Sequence, residues 1–402
     1  MARNLVARYT TAAESGVMVG FPPQPDARVT LENWQRAPFN RWAFLHTREV
    51  IPTANISRGN GDGWRLERGR GGLESLELPA AKGAPRTLGE FLQNSWTDGM
   101  IVLHRGRIEL ETYRNDMAPP TRHLAMSVSK SITSLVTGIL VHQGLFDVHA
   151  EVTRYVPELA GTAYESAAIQ HLLDMQVANS WREDYFGDTT EFWRLDVACG
   201  WLPPRQGAAA NLFDFLKESR LDGRHGERFQ YSSLNPDLLG LVAERVTGTR
   251  FATVVSRSLW HPADMEFDAD ITIDPGGSAV ADGGYCIALR DFARVGQLFL
   301  NGGRASERQV VPTSWIEECR QPNPMPFDRT SFGADLPGAS YHNQWWLFDD
   351  RSFALGIHGQ MIAVDFKADM VVVFVSSAPE PNSPEQRRMQ RRIVGALAQA
   401  LV

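Results

Sequence analysis

The sequence predicts an α+β fold in which both ends of the chain build an antiparallel sheet flanked by helices. Three observations support this: a β-hairpin pattern near residue 100, helical periodicity from residue 127 to about 265, and strand patterns after residue 344. Sequential strands usually lie side by side, so the early hairpin most economically joins the late strands in one sheet. We expect residues 1–126 and 281–402 to form this lobe, residues 127–280 to form a mostly helical inserted lobe, and a cleft to lie between them.

The first regular elements lead up to residue 144. Residues 87–95 predict a short helix, and residues 100–114 alternate around His104-Arg105-Gly106, which indicates a β-hairpin with its turn there. In residues 127–143 apolar side chains recur at i, i+3 and i+4, and Gly144 stands where a glycine commonly ends a helix. This segment is therefore predicted to be a long apolar helix.

The remaining elements follow the same division of the chain. Helical patterns occupy residues 166–176, 191–201, 210–220, 235–248 and 289–303. Strand patterns occupy residues 344–348, 353–359 and 361–377. Ser383-Pro384 has the form of an N-cap followed by an N1 proline, which predicts a helix to the C-terminus.

Composition and charge exclude several classes of protein. Hydrophobic residues are 43% of the chain and charged residues 22%, as in a packed globule. The net charge of −7 gives no basic surface for nucleic acid, and no apolar run is long enough to span a membrane or form a signal peptide. The three cysteines form no CxxC or Cys/His cluster, so we expect no disulfide, metal site or cofactor in a cytoplasmic protein.

An S-x-x-K motif, Ser127 to Lys130, begins the long helix. Residues three apart share a helix face, so the two side chains can approach hydrogen-bonding distance. We expect a cleft to depress the pKa of Lys130, so that it can deprotonate the Ser127 hydroxyl. The Ser127 N–H at the helix N-terminus would suit one half of an oxyanion hole. By itself the motif is equally compatible with a capping serine and a solvated lysine.

Two later segments complete the pattern. Tyr231 stands in a polar turn (FQYSS) before a predicted helix, where it could relay a proton between the serine and a leaving group. The alternative for Tyr231 is a turn tyrosine with its hydroxyl in water. Residues 354–360 (ALGIHGQ) predict a strand whose glycines would allow a substrate to lie close to the backbone.

In this order, the three segments resemble the S-x-x-K, Y-x-N and K-T-G elements of the serine β-lactamase and DD-peptidase superfamily, in its class C-like branch. Within that superfamily the chain looks like the 6-aminohexanoate-dimer hydrolases, amidases of nylon oligomers. The segments that carry the resemblance to this subfamily are NRWAF (40–44), MSVSKS (126–131), YVPELAG (155–161), LLDMQ (172–176), EDY (183–185), FQYSS (229–233), QWW (344–346) and GIHGQ (356–360).

The resemblance implies that Ser127 is the acylated nucleophile, Lys130 its base and Tyr231 the second proton-transfer group. With Gly356 on the motif glycine, the N–H of Ile357 is the second oxyanion donor; placing Gly359 there would give Gln360 instead. The superfamily's third-motif lysine is missing, since no lysine lies between residues 217 and 367. Without this carboxylate anchor, little or no β-lactamase activity is expected.

The subfamily resemblance also implies substrate contacts. Tyr185 looks like the tyrosine that closes over the bound amide, and Asp196 like the acid that receives the substrate's free ammonium. Asp282 falls at another pocket position, and His358 could be a further contact. The alternatives are a helix-surface aspartate for Asp196, a turn former for Asp282 and a structural histidine for His358.

The sequence thus predicts a metal-free serine hydrolase of linear amides such as 6-aminohexanoate dimer, with a homodimer possible by resemblance. Its first rival is a carboxylesterase for short-chain esters on the same scaffold. The second is a non-catalytic binding protein, against which the intact Ser127, Lys130 and Tyr231 argue. No G-x-S-x-G elbow, HExxH motif or phosphate-binding loop supports another enzyme class.

Overall fold

The computed structural model describes residues 10–80, 85–185, 190–323, 325, 336 and 338–402. The strands are β1 (Thr53–Ile56), β2 (Glu67–Arg68), β3 (Thr97–His104), β4 (Arg107–Tyr113), β5 (Arg122–Leu124), β6 (Ala269–Thr272), β7 (Tyr285–Ala288), β8 (Arg304–Ala305), β9 (Arg308–Gln309), β10 (Ser340–His342), β11 (Trp345–Phe348), β12 (Arg351–Gly356), β13 (Gln360–Asp365) and β14 (Met370–Ser376). The α-helices are α1 (Asn40–Ala43), α2 (Leu88–Asn94), α3 (Val128–His142), α4 (Ile169–Leu173), α5 (Glu191–Ala198), α6 (Leu212–Lys217), α7 (Leu234–Thr247), α8 (Phe251–Val255), α9 (Leu289–Leu300), α10 (Thr313–Cys319) and α11 (Pro384–Leu401).

The larger sheet joins the two ends of the chain, as predicted. Its strand order is β10-β11-β12-β13-β14-β3-β4-β2, and β14 pairs antiparallel with β3 along the register Val372 to Val102. Strands β3 and β14 are buried on both faces, because α9 packs on one face and side chains of α11 join the core on the other. The predicted α+β class, a sheet flanked by helices, is therefore confirmed.

The long helix that follows the sheet's first hairpin is α3. It begins one residue after Ser127, and Gly144 lies in the left-handed region with φ of 72° just beyond its end. All its residues from Val128 to Leu140 are buried, so α3 is a helix of the core. It packs against α7 and against strand β12, which places its N-terminus beside the sheet.

A second sheet was not predicted. It has the order β1-β6-β7-β5, and its strands contain three or four residues each. Strands this short carry almost no periodicity, and the pairing of β1 with β6 spans more than two hundred residues of chain. Strand β6 belongs to the segment assigned to the helical lobe, but it pairs with β1 and β7, which belong to the segments assigned to the sheet lobe. The proposed boundaries between the two lobes stay a prediction.

Candidate active site

Ser127 lies where strand β5 gives way to helix α3. The Ala125 N–H donates to the Tyr285 carbonyl at 2.7 Å, which holds the chain against β7 just before the serine. Met126 then adopts φ of 47°, a left-handed conformation that is costly for a side chain of this size. This sharp turn places Ser127 at the N-cap position of α3, where the first N–H groups of a helix have no partner within the helix.

Lys130 lies one turn along the same helix face and is 1% exposed. Its Nζ donates to Ser127 Oγ at 2.9 Å, to Ser233 Oγ at 3.1 Å, and to both the carbonyl oxygen and Oδ2 of Asp282 at 3.1 Å. An ammonium has three hydrogens and no lone pair, so acceptors in three residues match the charged form of the lysine.

The charge of Lys130 corrects the sequence interpretation, which expected a depressed pKa. Burial alone lowers the pKa of Lys130, but a phenolate at Tyr231 and the carboxylates of Asp282 and Glu183 outweigh burial and raise it above its ordinary value. The lysine is therefore an ammonium in the resting site, and it has no lone pair with which to accept the Ser127 proton.

Tyr231 lies on the other side of the serine, and it is 7% exposed rather than placed in water. Burial raises the pKa of Tyr231, while the Lys130 charge and a hydrogen bond with Ser127 lower it. The ring stacks on Trp346 with a centroid separation of 5.5 Å and meets Tyr341 edge-on at 6.0 Å. Lys130 Nζ lies 5.3 Å from the centroid of the ring. Ser127, Lys130 and Tyr231 thus form one connected group.

Glu183 connects this group to the loop that carries Tyr185, and sequence reasoning assigned it no role. Its Oε1 accepts hydrogen bonds from Ser233 Oγ at 2.7 Å and from the Tyr185 hydroxyl at 3.0 Å, and its Oε2 accepts from Trp181 Nε1 at 2.6 Å. Burial raises the pKa of Glu183, against the opposing effect of Lys130. The EDY and FQYSS segments carry these residues, but their spacing of about 50 residues gives no sign that the side chains meet.

Of the two candidate motif glycines, Gly356 is the one with a close contact to Ser127. A Cβ added to Gly356 would come within 3.0 Å of the Ser127 nitrogen and 2.9 Å of the Ala125 oxygen, so the backbone there approaches Ser127 closely. A Cβ added to Gly359 would instead collide with the side chain of Gln386 in α11. The geometry thus favours the Gly356-Ile357 alternative.

A cleft of about 360 Å³ opens next to Ile357. Three of the four predicted substrate contacts line it, namely Tyr185, Asp196 and His358. Aromatic side chains form much of the remaining wall, which suits a hydrocarbon chain; they are Trp34, Phe192 and Trp193.

Asp196 is a buried acid in this cleft rather than a residue on the outer surface of α5. It is 8% exposed, and its Oδ2 accepts a hydrogen bond from Gln35 Nε2 at 2.9 Å. Burial raises the pKa of Asp196 to about 8, and the hydrogen bond from Gln35 opposes this rise. Without a cationic ligand, the side chain is therefore mostly a neutral acid at pH 7.

Two of the predicted contacts, Asp282 and His358, interact closely with other residues of the protein. Asp282 is ion-paired with Lys130, and its N–H donates to Asp237 Oδ1 at 2.9 Å, so it lies beside Lys130 and is not part of the cleft wall. His358 has φ of 60°, and its Nδ1–H donates to the Ala378 carbonyl at 2.7 Å. Burial lowers the pKa of His358 to about 4, so it is neutral. Substrate contact by these two residues stays a prediction.

The described part of the chain contains neither a candidate metal site nor a membrane-spanning helix. There, no three histidine, cysteine, aspartate or glutamate side chains come together in a way that could hold a metal ion. No described helix combines the length and apolarity needed to cross a bilayer.

Comparison with known proteins agrees with this geometry. The beta-lactamase family profile matches residues 84–396. The 6-aminohexanoate-dimer hydrolase of Paenarthrobacter ureafaciens is 36% identical over 385 residues, which cover 95% of this chain and 96% of that enzyme. A Bacillus anthracis structure, provisionally given the same enzyme name, has a TM-score of 0.84 at 27% identity and covers 95% of this chain and 99% of its own.

More distant structures share the fold alone. A family VIII carboxylesterase has a TM-score of 0.57 at 15% identity, covering 77% of this chain and 93% of its own. The superfamily predicted from the three motifs is therefore confirmed. The chain belongs to the beta-lactamase family and is a hydrolase of the β-lactamase-like type.

Proposed function

We propose that this protein is a serine hydrolase of linear amides whose acyl chain ends in a primary amine, such as 6-aminohexanoate dimer, acting through an acyl-enzyme on Ser127. The observation that carries the proposal is the pairing of two features. The Ser127 hydroxyl accepts a hydrogen bond from the buried Lys130 ammonium, and the adjoining cleft is lined by the buried acid Asp196. The 36% identity to an enzyme named for this substrate supports the same conclusion.

In the proposed acylation, Tyr231 takes the role of base that the sequence interpretation gave to Lys130. The Lys130 ammonium lowers the pKa of Tyr231, and a Tyr231 phenolate raises the pKa of Lys130. When the pair loses one proton, the favoured form is therefore a phenolate beside an ammonium. Because both groups hold their protons at neutral pH, kcat/KM for an uncharged ester is expected to rise between pH 7 and pH 9.

The proposed reaction has two steps, acylation of Ser127 and hydrolysis of the acyl-enzyme. In the form of the pair that has lost one proton, Ser127 Oγ bonds to the amide carbon as its proton passes to the Tyr231 phenolate. The carbonyl oxygen becomes an oxyanion held by the N–H groups of Ser127 and Ile357. Tyr231 returns the proton to the departing nitrogen as the C–N bond breaks. Water then attacks the acyl carbon and gives one proton to the Tyr231 oxygen. As the bond between the acyl carbon and Ser127 Oγ breaks, Tyr231 passes that proton to Oγ and the acid is released.

Asp196 would select the acyl group. A carboxylate in a partly apolar cleft attracts a terminal ammonium, and the ammonium in turn stabilises the ionised form of the acid. Because Asp196 is mostly neutral at pH 7, the same cleft can also accept an uncharged acyl chain. This observation favours the second candidate function, a carboxylesterase for short-chain esters, with little or no β-lactamase activity.

The test is covalent labelling with a fluorophosphonate, followed by mass spectrometry and by assays of 6-aminohexanoate dimer and p-nitrophenyl esters. We expect one adduct on Ser127 in the wild type and in Ser129→Ala, a control two residues along α3. Ser127→Ala should lose the adduct and at least a thousandfold in turnover while keeping its circular dichroism spectrum. Turnover retained by Ser127→Ala would refute the proposal. Hydrolysis of esters alone would favour the carboxylesterase.

A further inference from the structure

Gln35 is held beside the cleft by the residue before it. Trp34 is fully buried, its indole N–H donates to the Trp201 carbonyl at 2.6 Å, and its ring meets the Trp201 ring edge-on at 5.2 Å. Trp201 follows the end of α5, the helix that carries Asp196. This anchor fixes the backbone of Gln35 relative to Asp196, although the two residues are 161 positions apart in sequence.

The amide of Gln35 occupies one oxygen of the Asp196 side chain. Nε2 donates to Oδ2 at 2.9 Å, and no described residue donates to Oδ1. Both Gln35 and Asp196 line the cleft. An ammonium has three hydrogens to donate, and the two side chains together offer Oδ1 of Asp196 and Oε1 of Gln35 as acceptors.

We infer that Gln35 is a positioning residue that sets specificity: it orients the Asp196 carboxyl so that Oδ1 faces the cleft and receives the terminal ammonium of the acyl chain. This inference rests on the proposed function and adds to it the residue that makes Asp196 selective. It also explains why a glutamine, rather than an arginine or lysine, lies against the acid. A permanent cation there would neutralise Asp196 and compete with the substrate.

The other charged groups near Asp196 do not supply a competing cation. The acids Glu183 and Asp282 act to raise the pKa of Asp196. Elsewhere in the cleft wall, Glu32 is ion-paired with Arg205 at 2.7 Å, Arg36 has interactions of its own, and His358 is neutral. The described residues place no basic side chain within hydrogen-bonding distance of Asp196, so the donor beside it is the neutral amide of Gln35.

The bond to Gln35 has a measurable consequence for pH dependence. It lowers the pKa of Asp196 against the effect of burial, so its loss makes the carboxylate harder to form. In Gln35→Leu, a substitution of similar size, amine-tailed substrates should therefore lose affinity at pH 7 and recover it only at higher pH. Gln35→Glu should restore the preference, because the introduced carboxyl and the Asp196 carboxyl would share one proton and so keep a hydrogen bond between them.

The experiment compares kcat/KM for 6-aminohexanoyl p-nitroanilide and hexanoyl p-nitroanilide from pH 6 to pH 9.5. In Gln35→Leu we expect the ratio of the two values at pH 7 to fall about tenfold or more, with its midpoint moved upward in pH. Hydrolysis of the hexanoyl substrate should fall less than that of the 6-aminohexanoyl substrate, because the hexanoyl chain has no ammonium to bind. Gln93→Leu, an exposed glutamine in α2, serves as the matched control.

The outcomes separate this inference from the proposed function. An unchanged ratio and midpoint in Gln35→Leu, or an equal loss on both substrates, would overturn the role of Gln35 while leaving the hydrolase intact. A wild-type enzyme that cleaves neither substrate, or shows no preference for the amine-tailed one, would overturn the proposed function itself. Failure of Gln35→Glu to restore the preference would also count against the inference.

Discussion

The ionisation of Asp196 should govern the preference for amine-tailed substrates. Burial raises the pKa of Asp196 to about 8. If only the ionised acid binds an ammonium, about one-tenth of the free enzyme is competent at pH 7 and about nine-tenths at pH 9. The tail itself stays protonated over this range, since an alkyl amine has a pKa of about 10.4. The wild-type preference for the 6-aminohexanoyl over the hexanoyl substrate should therefore rise about tenfold, or about 1.4 kcal/mol.

The decisive variant is Asp196→Asn, which keeps the size of the side chain and cannot ionise. Its substrate preference should be flat from pH 6 to pH 9 and no higher than the wild-type value at the acid end. Using the ratio of kcat/KM for two p-nitroanilides with acyl chains of equal length cancels any titration of the shared catalytic group. A flat wild-type profile, or a rise that persists in Asp196→Asn, would refute the reasoning.

The same pKa has a consequence for stability. Between about pH 4 and pH 8 the unfolded chain has an ionised Asp196 while the folded protein holds it protonated, so the folded state binds one more proton there. Its contribution to the free energy of unfolding therefore declines as pH rises through this window. At pH 7 the decline amounts to at most about 4 kcal/mol, from a shift of the pKa from 3.8 to about 8. Urea denaturation should show Asp196→Asn to be more stable than wild type at pH 7, with the difference vanishing near pH 4. A difference that does not change with pH would contradict this.

Further predictions concern the catalytic group. Lys130→Met should abolish activity and lower the free energy of unfolding by about 3–5 kcal/mol, because it leaves the Asp282 carboxylate buried without its partner. Adding Asp282→Asn should recover part of that loss in urea denaturation, and strict additivity of the two substitutions would argue against the pairing. Gly356→Ala should lower kcat about a hundredfold or more with the fold retained, since its Cβ would push the backbone away from Ser127. The control Gly395→Ala, where a Cβ meets open space in α11, should leave kcat unchanged, and equal kcat values in the two variants would exclude this oxyanion position.

Local sequence patterns sufficed for the elements with strong periodicity. The alternating residues of β3 and β4, the apolar run of β14 and the glycine after α3 each have a short-range physical cause, so the larger sheet could be predicted. The S-x-x-K spacing has a local cause as well, because residues three apart on a helix share a face wherever that helix packs. The approach of Ser127 and Lys130 was therefore predictable before any tertiary contact was known.

The pKa shifts of the site residues depend on contacts between segments that are distant in sequence. Burial lowers the pKa of Lys130, but Tyr231, Asp282 and Glu183 together raise it above its ordinary value, and all three come from distant parts of the chain, Asp282 from 152 residues away. The contact of Glu183 with the site could not be predicted, because its partner Ser233 lies 50 residues away in sequence. The small sheet was missed for the same reason, since its short strands become recognisable only through their pairing.

The sequence by itself thus determined which chemical groups this protein carries and which of them share a helix face: a nucleophilic serine, a lysine one turn away and a tyrosine before a later helix. The tertiary structure decided their protonation. Burial and the charges of distant residues together set whether Lys130 is a base or a cation, and whether Asp196 is a neutral acid or a carboxylate. Those quantities depend on how much water and which charges surround each group, and only packing of the whole chain defines that environment.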